Sequence, residues 1–242
     1  FLPSFFGPMM DEEINALHKA LENPEKPSLA IIGGSKVSTK ISVLKNLVCK
    51  LDNLIIGGGM ANTFLHAGGS PIGKSLYEPD FKDTVNEIHE LAKKYSCKIF
   101  LPVDVVVSKN LIKNAYHKIV NINDCPSDHM ILDIGEKSIE LYKNVISTSK
   151  TILWNGPLGA FETKPFDKGT NALAKYTSLV TMNKECVSVA GGGDTVSALN
   201  SINVTADFSY VSSAGGAFLE WLEGKELPGI KAINLSKWLL GT

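Results

Sequence analysis

The 242-residue sequence contains no arginine: all 24 of its basic residues are lysine. Arginine is the usual bidentate clamp for carboxylates and phosphates, so its absence bears on which substrates the chain can hold. An excess of either charge is also missing. The formal net charge of −1 leaves no positive field to offset a phosphate backbone, which argues against nucleic acid or an anionic membrane as partner. Cysteine is scarce and scattered. Cys49, Cys97, Cys125 and Cys186 form no C-x-x-C and do not group with His18, His66, His89, His117 or His129, so neither a zinc site nor a disulfide framework is expected. No apolar run approaches a membrane span, and the opening Phe1-Leu2-Pro3-Ser4-Phe5-Phe6 lacks the basic flank of a signal peptide. These absences describe a reduced, cytoplasmic protein. The start, with two prolines close together, reads as an inter-domain connection over residues 1–10, and the chain as a fragment.

What is present is core-forming material, 44% of the residues being hydrophobic. Apolar periodicity predicts helices over 11–21 (capped by Asp11, with Ile14, Leu17 and Leu21 as its stripe), 37–51, 60–67, 79–95, 168–179 and after Gly216. Another is expected to open at Leu132-Asp133-Ile134-Gly135 and run to about Ile146. Short strands are predicted over 29–32, 54–56, 98–107, 118–122, 151–154, 186–190 and 208–212. Strands alternating with helices predict a three-layer αβα, Rossmann-like α/β domain over 11–236 with a mainly parallel sheet, leaving 237–242 as a tail without an assigned role. In such sheets ligands collect beyond the carboxyl ends of the strands, and five glycine-bearing loops are expected there, after Ile32, Ile56, Trp154, Ala190 and Ser212.

Among these, Gly191-Gly192-Gly193-Asp194-Thr195 is a phosphate-site pattern. A strand runs into three glycines, and a helix opens at Asp194 or Thr195 with its free N–H groups facing the loop. Asp194 can cap that helix or hold Mg²⁺, and Thr195 can donate to a phosphate oxygen. A strand-to-helix turn without ligand fits the same residues. Lys36 and Lys40, four apart beside Gly33-Gly34, are expected on one side of the second helix's first turns. Two cations there favour an anion; two solvated lysines are the alternative. Asn155-Gly156-Pro157-Leu158-Gly159-Ala160-Phe161-Glu162 is a shaped strand-end loop in which Asn155 can donate to phosphate and Glu162 can accept from ribose. Two other patterns fail. Gly68-Gly69-Ser70-Pro71-Ile72-Gly73-Lys74-Ser75 matches a P-loop letter for letter but lacks the strand before and the helix after. Asn62 stands where a G-x-G-x-x-G fingerprint begun at Gly57 and Gly59 needs its third glycine.

Gly33-Gly34-Ser35-Lys36-Val37-Ser38-Thr39-Lys40, Gly57-Gly58-Gly59-Met60-Ala61-Asn62-Thr63-Phe64, Leu101-Pro102-Val103-Asp104, Trp154-Asn155-Gly156-Pro157, Gly191-Gly192-Gly193-Asp194-Thr195 and Leu222-Glu223-Gly224-Lys225 together resemble the phosphoglycerate kinase family, specifically its carboxy-terminal, nucleotide-binding half. The resemblance implies reversible phosphoryl transfer between 1,3-bisphosphoglycerate and MgADP, giving 3-phosphoglycerate and MgATP. It implies that Lys36 stabilises the group in flight, aided by the helix opening at Gly215 and Gly216. Gly33, Gly34, Lys40, Asn155, Gly191, Gly192, Gly193 and Thr195 would surround the phosphates, Glu162 the ribose, and Gly57, Gly58, Leu76 and Pro157 the adenine, with Asp194 on Mg²⁺. The sequence departs from the family pattern at Ala214 and Ile131, where glycine is frequent. The arginine-rich acid site of the family lies in its other half, so a monomer needing an amino-terminal domain is implied. A free-standing nucleotide-binding module and a Rossmann-type oxidoreductase are the alternatives.

Overall fold

The computed structural model describes residues 5–232, so the expected tail 237–242 and the first four residues of the expected connection lie outside the described residues. Six strands form a wholly parallel sheet in the order β3-β2-β1-β7-β8-β9. They are β1 (Ser28–Ile32), β2 (Asn53–Ile56), β3 (Lys98–Phe100), β7 (Thr151–Asn155), β8 (Val187–Ala190) and β9 (Tyr210–Val211). The central strands are buried on both faces, and successive residues feed opposite layers as strand geometry requires. Ala30, Ile32, Leu54 and Ile56 meet one apolar cluster; Leu29, Ile31, Ile55 and Trp154 meet another. The first cluster takes in α1 (Pro8–Leu17), α2 (Ile41–Val48), α3 (Gly58–Ala67), α4 (Lys82–Lys94) and α8 (Gly215–Leu222). The second takes in α5 (Glu136–Thr148), α6 (Lys168–Met182) and α7 (Gly193–Ser201). The expected three-layer α/β architecture is therefore present.

Several boundaries differ from expectation, each for a local reason. Helix α1 starts at Pro8, with Gly7 rather than Asp11 as N-cap, because proline's missing N–H costs nothing in a first turn. It takes in residues 8–10 of the expected connection and continues as a π-helical turn, His18–Glu22. Its Ile14 and Leu17, with Leu21 beyond, are buried as predicted. The run 98–107 is two strands in two sheets: Pro102 has no N–H to continue a ladder, and the chain leaves β3 and restarts as β4 (Asp104–Ser108). Leu132, Asp133 and Ile134 belong to a strand, β6 (Met130–Ile134), and α5 opens only after Gly135. With β5 (His117–Asn121), β4 and β6 make a three-stranded antiparallel sheet that was not anticipated, in the order β5-β4-β6. Two of its aspartates accept from the first turns of helices. Asp104 Oδ1 and Oδ2 accept from the backbone N–H groups of Ser138 and Lys137, at 2.8 and 3.1 Å, capping α5 from another element. Among the described residues no helix is long and apolar enough to cross a membrane.

Candidate nucleotide site

The carboxyl ends of β1, β2, β7 and β8 run into loops that are stitched to one another by backbone groups. Gly33 N–H donates to Asn155 O at 3.0 Å, Gly58 N–H to Leu158 O at 3.0 Å, and Gly191 N–H to Trp154 O at 3.0 Å. A Cβ at Gly33 would overlap the Pro157 carbonyl, so only glycine lets these loops approach so closely. Gly192, with φ of +96°, sits in the left-handed half of backbone space, and its Cβ would stand 2.5 Å from Asn155 Nδ2.

Lys40 lies behind this knot. The second helix starts at Ile41, so Lys40 is its N-cap and Lys36 lies in the preceding loop. The expected shared helical face does not exist, because Gly34, at φ of +144°, and the turn that follows keep 33–40 out of helical geometry. Lys40 Nζ donates to Gly33 O at 2.6 Å, to Asn155 Oδ1 at 2.6 Å and to Asn155 O at 3.3 Å. Burial lowers its pKa to about 8, opposed by the nearby charge of Asp194. Lys36 is exposed, and its loop is pinned by Glu78, which accepts from Ser38 N–H at 2.9 Å and from its hydroxyl at 2.5 Å.

Asn155 is an internal brace. It is 2% exposed, its Oδ1 is taken by Lys40, and its Nδ2 donates to Gly191 O at 2.7 Å. Helix α7 opens at Gly193 with Gly192 as N-cap, so Asp194 is an exposed first-turn residue and not the cap. Thr195 is buried, and its hydroxyl accepts from Gly156 N–H at 2.7 Å. Gly215 and Gly216 open α8 with nothing crowding either position, while Ala214, at φ of −95°, occupies a conformation that needs no glycine.

Beside the knot lies a cleft of about 340 Å³. Gly34, Gly58, Leu76, Pro157, Glu162 and Asp194 line it. Those six predicted residues thus share one concavity. Gly33, Lys40, Gly57, Asn155, Gly191 and Thr195 do not line it. Asp194 is its exposed carboxylate nearest the glycine loop, and among the described residues no group of three or more acidic, His or Cys residues could hold a metal alone. That donor set fits a Mg²⁺ ion carried on a nucleotide, which takes one or two protein carboxylates and completes its shell with phosphates and water.

A further wall was foreseen from the sequence only at Ile131. It comes from the antiparallel sheet: Val105, Met130, Ile131, Leu132 and Asp133. The short apolar runs 105–107 and 130–132 carried a strand signal, but no strand in the parallel series pointed to a second sheet. Asn62 also lines the cleft. It is 3% exposed, gives its Nδ2 to Leu76 O at 3.1 Å, and leaves Oδ1 without a partner. The P-loop-like stretch 68–75 leaves the end of α3 and makes one bridge, Gly73 to Met130, with Lys74 exposed and no helix following.

The family profile of phosphoglycerate kinase matches residues 1–225. Phosphoglycerate kinase from Zymomonas mobilis is 56% identical over 233 residues, covering 96% of this chain and 59% of that protein. The one from Cereibacter sphaeroides is 52% identical over 234 residues, covering 97% and 59%. The solved structure of phosphoglycerate kinase from Coxiella burnetii superimposes with a TM-score of 0.89 at 47% identity, covering 94% of this chain and 58% of that one. The chain thus spans about 59% of the length of the curated relatives it matches. Fold, cleft and similarity agree: the chain belongs to the phosphoglycerate kinase family.

Proposed function

We propose that this chain is the carboxy-terminal, nucleotide-binding half of a phosphoglycerate kinase, a cytoplasmic monomer that transfers a phosphoryl group between 1,3-bisphosphoglycerate and MgADP. On this reading residues 1–10 connect the halves, 11–236 form the nucleotide domain, and 237–242 have no assigned role. The observation that carries it is the convergence of four strand-end loops on one apolar cleft, with the braced cation Lys40 behind and the carboxylate Asp194 at its rim. Family membership displaces the oxidoreductase alternative.

The nucleobase lies between Gly58 and Leu76 on one side and Pro157 and the antiparallel sheet on the other, with the ribose toward Glu162. Phosphates lie along the amides of Gly192 and Gly193 and the first turn of α7, where unpaired N–H groups and the helix dipole favour anions. Lys40 has given its N–H groups to the protein and acts through its charge. Asp194 would hold Mg²⁺, which when bound neutralises phosphate charge. Exposed Lys36 and the open start of α8 at Gly215 and Gly216 face the group in flight. In the direction of ATP synthesis, the bond from phosphorus to the acyl oxygen breaks as the one to the terminal ADP oxygen forms, and the acid leaves as carboxylate. Positioning and charge neutralisation supply most of such a rate. The carboxylate clamp is assigned to an arginine-bearing amino-terminal domain, since this chain has no arginine.

The test has two parts. Calorimetric titration should show binding of MgADP and none of NAD; the reverse would overturn the nucleotide assignment. The chain alone should form no ATP from 1,3-bisphosphoglycerate and MgADP, and should do so once joined to such a domain. Turnover by the chain alone, abolished by Lys36→Ala, would place the acid site here and refute the two-half account.

A further inference from the structure

We infer that Asp133 is a positioning residue of the nucleotide cleft: its buried carboxylate fixes the start of α6 against β6, and thereby sets where the loop bearing Pro157 and Glu162 lies. The inference rests on the nucleotide reading above and extends it to a residue outside the ligand-contacting set.

Asp133 sits on the cleft wall at the end of β6 and is 2% exposed. Its Oδ2 accepts from Gly169 N–H at 2.7 Å and its Oδ1 from Ile134 N–H at 2.9 Å. Gly169 is the second residue of α6, so its N–H is one of the donors a helix start leaves unpaired. The residue placed to cap it, Asp167, makes no cap; its Oδ2 accepts from Asn171 Nδ2 at 2.9 Å. The cap is therefore supplied across space from β6.

The same carboxylate seats the cleft loop. A Cβ at Gly159 would stand 2.5 Å from Asp133 Oδ1, and one at Gly169 would overlap that oxygen, so both backbones lie directly against the carboxylate. Next to these contacts, Ala160 N–H donates to Leu132 O at 2.8 Å, and Leu158 N–H donates to Thr170 Oγ1 at 3.0 Å. Leu158 and Gly159 are thus both referenced to Asp133, Gly159 directly and Leu158 through the first turn of α6. Pro157 and Glu162 flank these two anchored residues.

Burial is the largest influence on this group. It pushes the carboxyl up to about 7, against the two N–H bonds that favour the anion; Asp167 adds to the rise and Lys168 opposes it. The anion accepts from both N–H groups, whereas the protonated acid must turn one oxygen's hydrogen toward some acceptor. The loop is therefore held best when Asp133 is ionised, and its grip weakens as pH falls through neutrality.

The experiment titrates the chain with MgADP and, separately, with Mg-pyrophosphate between pH 6 and 8.5, comparing wild type, Asp133→Asn and Gly159→Ala. The phosphates of the ligand titrate alike in every case, so ratios between proteins isolate the protein group. For MgADP, Asp133→Asn should bind about threefold to tenfold more weakly at pH 8, the loss expected of one hydrogen bond, and the gap should narrow toward pH 6. Mg-pyrophosphate, which does not reach the loop, should bind both alike. Gly159→Ala, which displaces the loop and keeps the charge, should weaken MgADP and spare pyrophosphate; it carries the test if Asp133→Asn does not fold. Equal MgADP affinity in wild type and both variants, or equal losses for both ligands at every pH, would overturn the inference and leave the nucleotide reading standing. Failure of wild type to bind MgADP would overturn both.

Discussion

Lys40 ends on three oxygen acceptors at the mouths of β1 and β7, whereas Lys36, four residues earlier, is exposed and has no side-chain partner among the described residues. One loop thus carries a cation that is part of the protein and another that is free to follow a ligand. Burial explains the difference. An ammonium taken out of water must be surrounded by acceptors, and Gly33 and Asn155 supply them at the cost of holding Lys40 in one place. A cation meant to meet a moving phosphoryl group has the opposite requirement. The two lysines would therefore fail differently when removed.

The largest effect is expected at Lys36. In the chain joined to an arginine-bearing partner domain, Lys36→Ala should lower kcat by about 10²–10³-fold, the range seen when one transition-state donor is lost. Its melting temperature and MgADP affinity should barely move, as for an exposed surface change. Rate assays with matched melts check this, and a large loss of stability would erase the contrast.

Lys40→Ala should weaken MgADP binding through loss of a charge near the phosphates. It should also destabilise the chain, because Gly33 O and Asn155 Oδ1 are left without their donor. Lys74→Ala, in the P-loop-like stretch, should leave affinity within error. If calorimetry ranks Lys74 above Lys40, the wrong lysine has been assigned to the site.

The last contrast is the pH dependence of the brace. Lys40 is lowered to about 8 in the folded chain from 10.5 when solvated. Between those values the unfolded chain binds more protons than the folded one, so stability relative to Lys40→Met should rise with pH across that window. Below about 8 both states are protonated and the difference should be flat. Denaturant midpoints at pH 7, 9 and 10.5 read it directly, and a falling trend would mean that Lys40 is not desolvated.

The parallel sheet was legible because its strands are short apolar runs ending in glycine, and the backbone crowding seen at Gly33 and Gly192 is the reason for those glycines. The glycine loops beside the cleft were legible on the same grounds. Of the opposite wall only Ile131 was. Val105 and Leu132 line the cleft only because β4 and β6 leave the parallel series and pair antiparallel, a long-range choice that periodicity does not carry. Motif spacing could suggest that Asn155 lies near phosphate; that both ends of its amide are already occupied depends on Lys40 and Gly191, far away in sequence. The same holds for Asp104 and Asp133. Each caps a helix from another element, so the residue at the helix boundary gives no sign of the cap.

The placing of β1 has a consequence for how the molecule comes into being. All five of its residues are buried, and it pairs with β2 on one side and β7 on the other, Ser28 opposite Thr151. β2 follows soon after it leaves the ribosome, but β7 does not. At about 5–20 residues per second, roughly ten seconds of translation separate the two strands. Throughout that interval one flank of Ser28–Ile32 presents unpaired N–H and C=O groups between apolar side chains, the template on which strands from other molecules add. A strand paired on both sides in the finished domain is thus open along one edge during synthesis, and aggregation is expected to rise with the concentration of nascent chains.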